Sequence, residues 1–160
     1  MYLVDSNIII DGFRTYPPDS FPSYWQAIET FVEAGKFLFH EKVCEEILIH
    51  EDDKSSWLKE TVPQDRWIRR DDELESYRAV TKWARVDRQP AYNPQEVRQF
   101  LNIADSWLVA SAHAKRFTIL TNETPATPRE KRVKIPDAAE AFSVPCISNL
   151  QFLRKHNLRF

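Results

Sequence analysis

Four acidic residues are spaced along the chain so that each falls at the end of a predicted strand or on a helix beside one. Asp5 follows the apolar run Tyr2–Val4, whose strand-forming residues predict a short buried strand. Glu46 lies on a helix after a second strand, Asp105 opens a helix before a third, and Glu123 follows that third strand. The chemistry that such carboxylates could perform together is the binding of a cation.

A fifth candidate, Asp137, stands at the start of a later predicted helix. If the strands are parallel, Asp5 and Glu123 project from the carboxyl edge of the sheet, where ligands bind in open α/β folds. Helices that approach this edge could bring Glu46 and Asp105 beside them. Each residue also has a simpler interpretation, because Asp5 and Asp105 could be helix caps and the glutamates ordinary helix or loop charges.

Carboxylates that share one pocket raise each other's pKa or require a cation. Hard oxygen ligands favour Mg²⁺ or Mn²⁺ over zinc. The four histidines form no close ligand pair, and Cys44 and Cys146 lack CxxC spacing, so we expect two reduced structural thiols. Two hard ions about 3.5–4 Å apart can activate a water and stabilise the leaving oxygen in phosphodiester hydrolysis.

Hydrophobic patterns predict strands and helices that alternate along the chain. The predicted strands cover residues 2–4, 36–40, 117–121 and 144–147, and the predicted helices cover about 6–14, 21–34, 41–50, 103–115, 137–142 and 149–156. This order favours a parallel sheet with crossover helices.

The middle of the chain, residues 51–100, is polar and predicted to be mostly helical, with an extended piece at 66–70. We interpret it as a helical arm over the sheet. The basic residues that it carries include Arg66, Arg69, Arg70, Arg78, Lys82, Arg85 and Arg88. The favoured interpretation is a solvent-exposed face on which acidic residues are interspersed with the basic ones, and a dedicated RNA-binding patch is the alternative.

Length and composition indicate one ordinary globular domain over residues 1–160. The chain is 42% hydrophobic and 29% charged, and its net charge of −2 gives no overall basic field. No apolar run approaches the roughly 20 residues that span a bilayer, and the first residues lack a basic region typical of a signal peptide. We therefore expect a cytoplasmic protein without membrane contact.

Four segments in order resemble the motif set of PIN-domain nucleases: Y-L-V-D-S-N, K-V-C-E-E-I-L, A-D-S-W-L-V-A-S-A and T-I-L-T-N-E. With the I-P-D segment at 135–137, the chain is most similar to PIN-like relatives of VapC-type toxins. The resemblance implies a three-layer α/β/α fold with a central, mostly parallel sheet and helices on both faces. It also implies a metal-dependent endoribonuclease that acts on RNA with Mg²⁺ or Mn²⁺, an antitoxin partner and, by analogy, a homodimer.

By this resemblance Asp5 matches the first metal aspartate, and Asn7 matches a polar helper beside it. Glu46 matches the helix glutamate, with Glu45 as the alternative if the register differs by one. Asp105 matches the third acid.

The fourth acid departs from the family, because many PIN domains place an aspartate where this chain has Glu123. Glutamate can still bind a metal, and Asp137 could complete or replace it. Thr121 could orient the metal-bound water.

A basic cluster stands between the last two acids. It could be a phosphate clamp or an exposed loop, and the sequence favours neither: Arg129, Lys131, Arg132 and Lys134. Trp25 and Trp107 could stack on bases, although core positions are the favoured interpretation.

Three rival functions follow from other readings of the site. A haloacid-dehalogenase-type phosphatase needs a D-x-D pair, but Asn7 occupies the second position. A receiver-like phosphoacceptor would need paired acids and a late lysine, and neither is clear. A non-catalytic PIN-like module that binds RNA or a partner is the alternative that the sequence separates least.

Overall fold

A four-stranded parallel sheet organises the residues that the computed structural model describes, which are 1–127 and 132–160 without the side chain of Asp72. The strands are β1 (Tyr2–Val4), β2 (Phe37–Leu38), β3 (Thr118–Leu120) and β4 (Cys146–Ile147). Their order across the sheet is β2-β1-β3-β4, and every neighbouring pair is parallel.

Helices cover both faces of this sheet and connect its strands. They are α1 (Ser6–Thr15), α2 (Pro22–Glu33), α3 (Glu41–Ile47), α4 (Asp53–Thr61), α5 (Leu74–Lys82), α6 (Pro94–Asn102), α7 (Ala104–Lys115), α8 (Ile135–Ala141) and α9 (Asn149–Lys155). The predicted three-layer α/β/α fold with a parallel central sheet is confirmed.

The core lies where β1 and β3 run side by side through the middle of the sheet. Leu3 and Val4 are fully buried and pair with Ile119 and Leu120. Strands covered on both faces need nearly continuous apolar sequence, and these have it. On one face, the α7 backbone comes close to the sheet because residues 104–112, all buried, include alanines and serines.

The middle segment packs against the domain along its length. Helix α4 lies on α1, α2 and α3, while α5 and α6 lie on α7. In the predicted extended piece, Ile68 forms one parallel bridge with His40 beside β2. Arg69 and Arg70 then form ion pairs with Glu41 at 3.2 and 2.7 Å, so two basic residues of the predicted arm tie it to α3.

The predictions for the two cysteines and for two tryptophans are also confirmed. Cys44 and Cys146 are free thiols. Trp25 and Trp107 are buried, and Trp107 stacks on the Tyr77 ring with centroids 3.7 Å apart, so both belong to the core. Among the residues described, no helix is both long and apolar enough to cross a membrane.

Candidate functional site

Asp5 and Thr121 meet at the carboxyl edge of the sheet. Val4 and Leu120 form the last paired register position of β1 and β3, so Asp5 and Thr121 are the first residues beyond it. The Thr121 hydroxyl donates a hydrogen bond of 2.7 Å to Asp5 Oδ2. Asp5 precedes α1 as its N-cap residue, but its side chain makes no capping hydrogen bond. Its carboxylate, which is 3% exposed, therefore serves the sheet edge and does not cap the helix.

Asn7 links Asp5 to the segment that follows β3. Its amide nitrogen donates to Asp5 Oδ2 at 2.6 Å and to Thr121 Oγ1 at 3.2 Å. Its carbonyl oxygen accepts from the backbone N–H of Asn122 at 3.1 Å. The predicted helper residue thus fixes one oxygen of Asp5 while it holds the neighbouring strand end.

Glu46 brings three helices together at the same edge. Its Oε2 accepts a hydrogen bond of 2.8 Å from the Ser6 hydroxyl, and its Oε1 accepts one of 3.1 Å from the backbone N–H of Ala104. That N–H belongs to the first turn of α7, where helix amides lack partners within the helix. Glu45, the alternative, is exposed and forms an ion pair with Lys42 at 2.7 Å, so Glu46 is the glutamate at the site.

Asp105 is buried in the first turn of α7, and one oxygen of its carboxylate is buried without a hydrogen-bond partner among the described residues. It is 8% exposed, and its Oδ2 has no hydrogen-bond partner within residues 1–127 and 132–160. The N-cap position of α7 is Ile103, so Asp105 does not cap the helix. A buried carboxylate oxygen without a donor is costly, which marks this position for a ligand or a functional role.

Glu123 and Asp137 hold the segment after β3 against α8. The Glu123 N–H donates to Thr121 Oγ1 at 3.0 Å, and its Oε2 accepts from the backbone N–H of Ile135 at 2.8 Å. Asp137 Oδ2 accepts from the backbone N–H of Ala126 at 3.0 Å. Both acids have one oxygen engaged by a backbone donor, an arrangement that orients a carboxylate before it binds anything else.

The electrostatics show that these acids lie near one another. The pKa of Asp5 is raised from 3.8 to about 7, chiefly by burial, while the Thr121 hydrogen bond opposes the rise and the negative charges of Glu123 and Glu46 add to it. Burial also raises the pKa of Asp105 from 3.8 to about 8, aided by Asp5, Glu123 and Glu46. The structure therefore brings together four of the five predicted acids as one mutually repelling cluster. We call these four residues, Asp5, Glu46, Asp105 and Glu123, the acid cluster.

The donor chemistry of the acid cluster fits a hard divalent cation, since it offers carboxylate oxygens and an unpartnered Asp105 Oδ2. Its arrangement is more open than a finished metal site. Within the described ranges, no group of three or more His, Cys, Asp or Glu side chains is placed to hold a metal ion.

The predicted basic cluster is described only in part. Arg129 and Lys131 lie outside the described residues. Arg132 is exposed, and its positive charge lowers the pKa of Asp105 against the effect of burial. Lys134 is the half-buried N-cap residue of α8.

The sequence alone did not reveal three groups that position the acids. Ser6 stands between Asp5 and Asn7 in the D-S-N segment, and its hydroxyl could have been assigned from that place. The amides of Ala104 and Ile135 carry no such signal, because every non-proline residue has a backbone N–H.

The fold and the site define an α/β/α protein with an acid cluster at the carboxyl edge of its parallel sheet. A family model described as a domain of unknown function (DUF4411) matches residues 2–160, so the chain belongs to the DUF4411 family. Comparison with curated proteins and with solved structures gave no match.

Proposed function

We propose that this protein is a Mg²⁺- or Mn²⁺-dependent endoribonuclease with a PIN-like site. The observation that carries the proposal is Asp105, a buried carboxylate with one unpartnered oxygen whose pKa is raised by burial and by three other acids. A fold that gathers like charges without a counter-ion stores an electrostatic cost. A divalent cation would remove that cost, and phosphodiester hydrolysis is a reaction that such a site supports.

In this proposal the acid cluster holds the cation, with Asp5 and Asp105 as its central members. A bound divalent cation would supply Lewis-acid activation of water and would neutralise charge on the phosphate. The neighbouring residues act through the acids: Thr121 and Asn7 fix Asp5, and Ser6 fixes Glu46. Asp137 braces the segment that carries Glu123 through its bond to Ala126.

The proposal extends to a biological role. The motif order described above supports the toxin of a type II toxin–antitoxin pair, with an antitoxin protein as partner and a homodimer as the expected assembly. Such a toxin would have to act on RNA in the cytoplasm.

The test is cleavage of a mixed tRNA and rRNA pool by the purified protein in Mg²⁺ or Mn²⁺, with and without EDTA. We expect cleavage that EDTA stops, and no cleavage by Asp5→Asn or Asp105→Asn variants that remain folded. Asp65→Asn, which neutralises an exposed acid that is not part of the acid cluster, is the matched control and should cleave RNA normally. Unchanged cleavage by the folded Asp5→Asn, Asp105→Asn double variant would refute the proposal.

A growth assay tests the toxin role separately. Expression of the wild-type chain should slow growth, and expression of Asp5→Asn should not. Equal growth inhibition by both chains would remove the link between toxicity and the acid cluster.

One observation favours a second candidate, the non-catalytic PIN-like module that binds RNA or a partner. Asp5, Glu46 and Glu123 are already held by internal donors, and no described group of three His, Cys, Asp or Glu side chains is arranged to hold a metal. RNA binding by the wild-type chain with no cleavage in either metal would support this candidate over the nuclease.

A further inference from the structure

A cavity of about 310 Å³ lies outside the acid cluster, beside α6 and the turn that precedes it. It is lined by Arg85, Tyr92, Pro94, Val97 and Arg98. Arg85 lies in a single π-helical turn, Trp83–Asp87, that follows α5. Such turns occur often at functional sites.

The two arginines of this cavity carry positive charge that is not paired with any carboxylate in the described part of the chain. Arg85 and Arg98 are exposed, and neither forms an ion pair with a described carboxylate. Arg69 and Arg70 of the same middle segment do form such pairs, with Glu41. The basic residues of this segment therefore differ in their surroundings: Arg69 and Arg70 form internal ion pairs, whereas Arg85 and Arg98 line a cavity.

An aromatic ring lines the same cavity as these two arginines. Tyr92 is half-buried, and the Arg88 guanidinium lies 4.0 Å from the centroid of its ring. Nucleobases stack on such aromatic rings and on the planes of guanidinium groups. Arginine is also the side chain that best matches the geometry of a phosphate.

The cavity is close to Asp137 of α8, and it is lined in part by α6, which packs on α7, the helix that carries Asp105. Burial raises the pKa of Tyr92, Arg88 opposes this, and the negative charge of Asp137 raises the pKa further, so Asp137 is near Tyr92. Helix α6, which carries Arg98, leads through a single residue, Ile103, into α7 and Asp105.

We propose that this cavity is a subsite for single-stranded RNA, in which Arg85 and Arg98 bind phosphate and the Tyr92–Arg88 pair accepts an unpaired base. This inference rests on the proposed function and names the form of its substrate. A cavity at the lower end of ligand-pocket volumes admits one nucleotide and excludes a duplex. Because the chain's net charge is −2, RNA binding must come from such a local positive surface.

The test is fluorescence anisotropy with a labelled single-stranded RNA of about 12 nucleotides in EDTA, so that no cleavage occurs. The variant is the double substitution Arg85→Ala, Arg98→Ala. The matched control is Arg154→Ala, Arg159→Ala, which removes the same charge from exposed positions at the end of the chain. Thermal unfolding checks that both proteins are folded.

We expect the cavity variant to bind at least 10-fold more weakly and the control less than 2-fold more weakly. Loss of two phosphate contacts should also reduce the slope of log K against log salt by about 1.4. A duplex of the same sequence should bind more weakly than the single strand.

Equal losses in the two double variants would show that overall charge alone is acting, and would overturn the inference. Competition by oligoglutamate as strong as that by RNA would assign the cavity to an acidic peptide, and would also overturn it. If the cavity variant binds RNA normally while the wild type cleaves RNA, only this inference fails. If the wild type neither binds nor cleaves RNA, the proposed function fails as well.

Discussion

Replacing Asp105 by asparagine is expected to stabilise the metal-free protein by an amount that grows with pH. Burial, aided by the neighbouring acids, raises the pKa of Asp105 from 3.8 to about 8. Between these values the folded protein keeps a proton that the unfolded chain releases. The free energy of unfolding of the wild type therefore falls as pH rises through that range, whereas the asparagine variant lacks this decrease.

The size of the effect follows from the same two pKa values. One pKa unit corresponds to about 1.4 kcal/mol, so raising the pH from 5 to 7 should widen the difference in unfolding free energy by up to about 3 kcal/mol. Any change in packing caused by the amide adds a constant offset. The pH dependence of the difference, and not its value at one pH, is therefore the informative quantity.

The assay is urea unfolding followed by tryptophan fluorescence, in EDTA, at three pH values between 5 and 7. Asp65→Asn, at an exposed position, is the control, and its difference from wild type should stay flat across this range. Parallel pH profiles for wild type and Asp105→Asn would refute the raised pKa of Asp105 in the folded protein.

Three further predictions test the surroundings of the site. Mg²⁺ or Mn²⁺ at about 100 times its dissociation constant should stabilise the wild type by about 2.7 kcal/mol and leave Asp105→Asn almost unaffected. Thermal unfolding measures both effects. Equal stabilisation of the two proteins would count against cation binding at the acid cluster. Thr121→Val should lower the free energy of unfolding by about 1–3 kcal/mol and slow RNA cleavage, because Asp5 loses its hydroxyl donor. Thr121→Ser keeps a hydroxyl and should retain both stability and cleavage. A cleavage rate for Thr121→Val equal to that of the wild type would contradict this prediction. Burial lowers the pKa of His40 from 6.5 to about 4, so stability from this residue is complete above pH 6.5 and falls by up to about 3 kcal/mol as pH drops to 4. His40→Asn should lack that part of the acid sensitivity in urea unfolding, and an unchanged profile would exclude His40 as its source.

The sequence could predict the layers of the fold because their signals are local. The run Tyr2–Val4 is apolar throughout, as a strand covered on both faces must be. The small residues of α7 predict a helix that packs closely, and the alternation of strands with helices predicts parallel pairing. Each of these signals is carried by neighbours in the chain, so no tertiary contact was needed to read them.

Strand lengths were predicted less well, because the bounds of a strand are set by how far it pairs with its neighbours in the sheet. The predicted strand at 117–121 pairs only over Thr118–Leu120, and the one at 36–40 only over Phe37–Leu38. Phe39, which follows Leu38, and Phe117, which precedes Thr118, continue the apolar pattern but lie outside the paired register positions. The apolar pattern marks burial, whereas the bounds of a strand depend on pairing with a distant segment.

For the acid cluster, the sequence by itself determined the residue types and their order: an acid after β1, one on α3, one opening α7 and one after β3. Only the tertiary structure decided that Glu46 and not Glu45 faces the site, that Asp105 keeps an unpartnered oxygen, and that Asp137 braces a loop. The physical reason is that helix rotation and backbone hydrogen bonds are set by packing between distant segments. The backbone donors at Ala104 and Ile135 that hold two of the carboxylates are common to almost every residue, so only their positions in space give them a role.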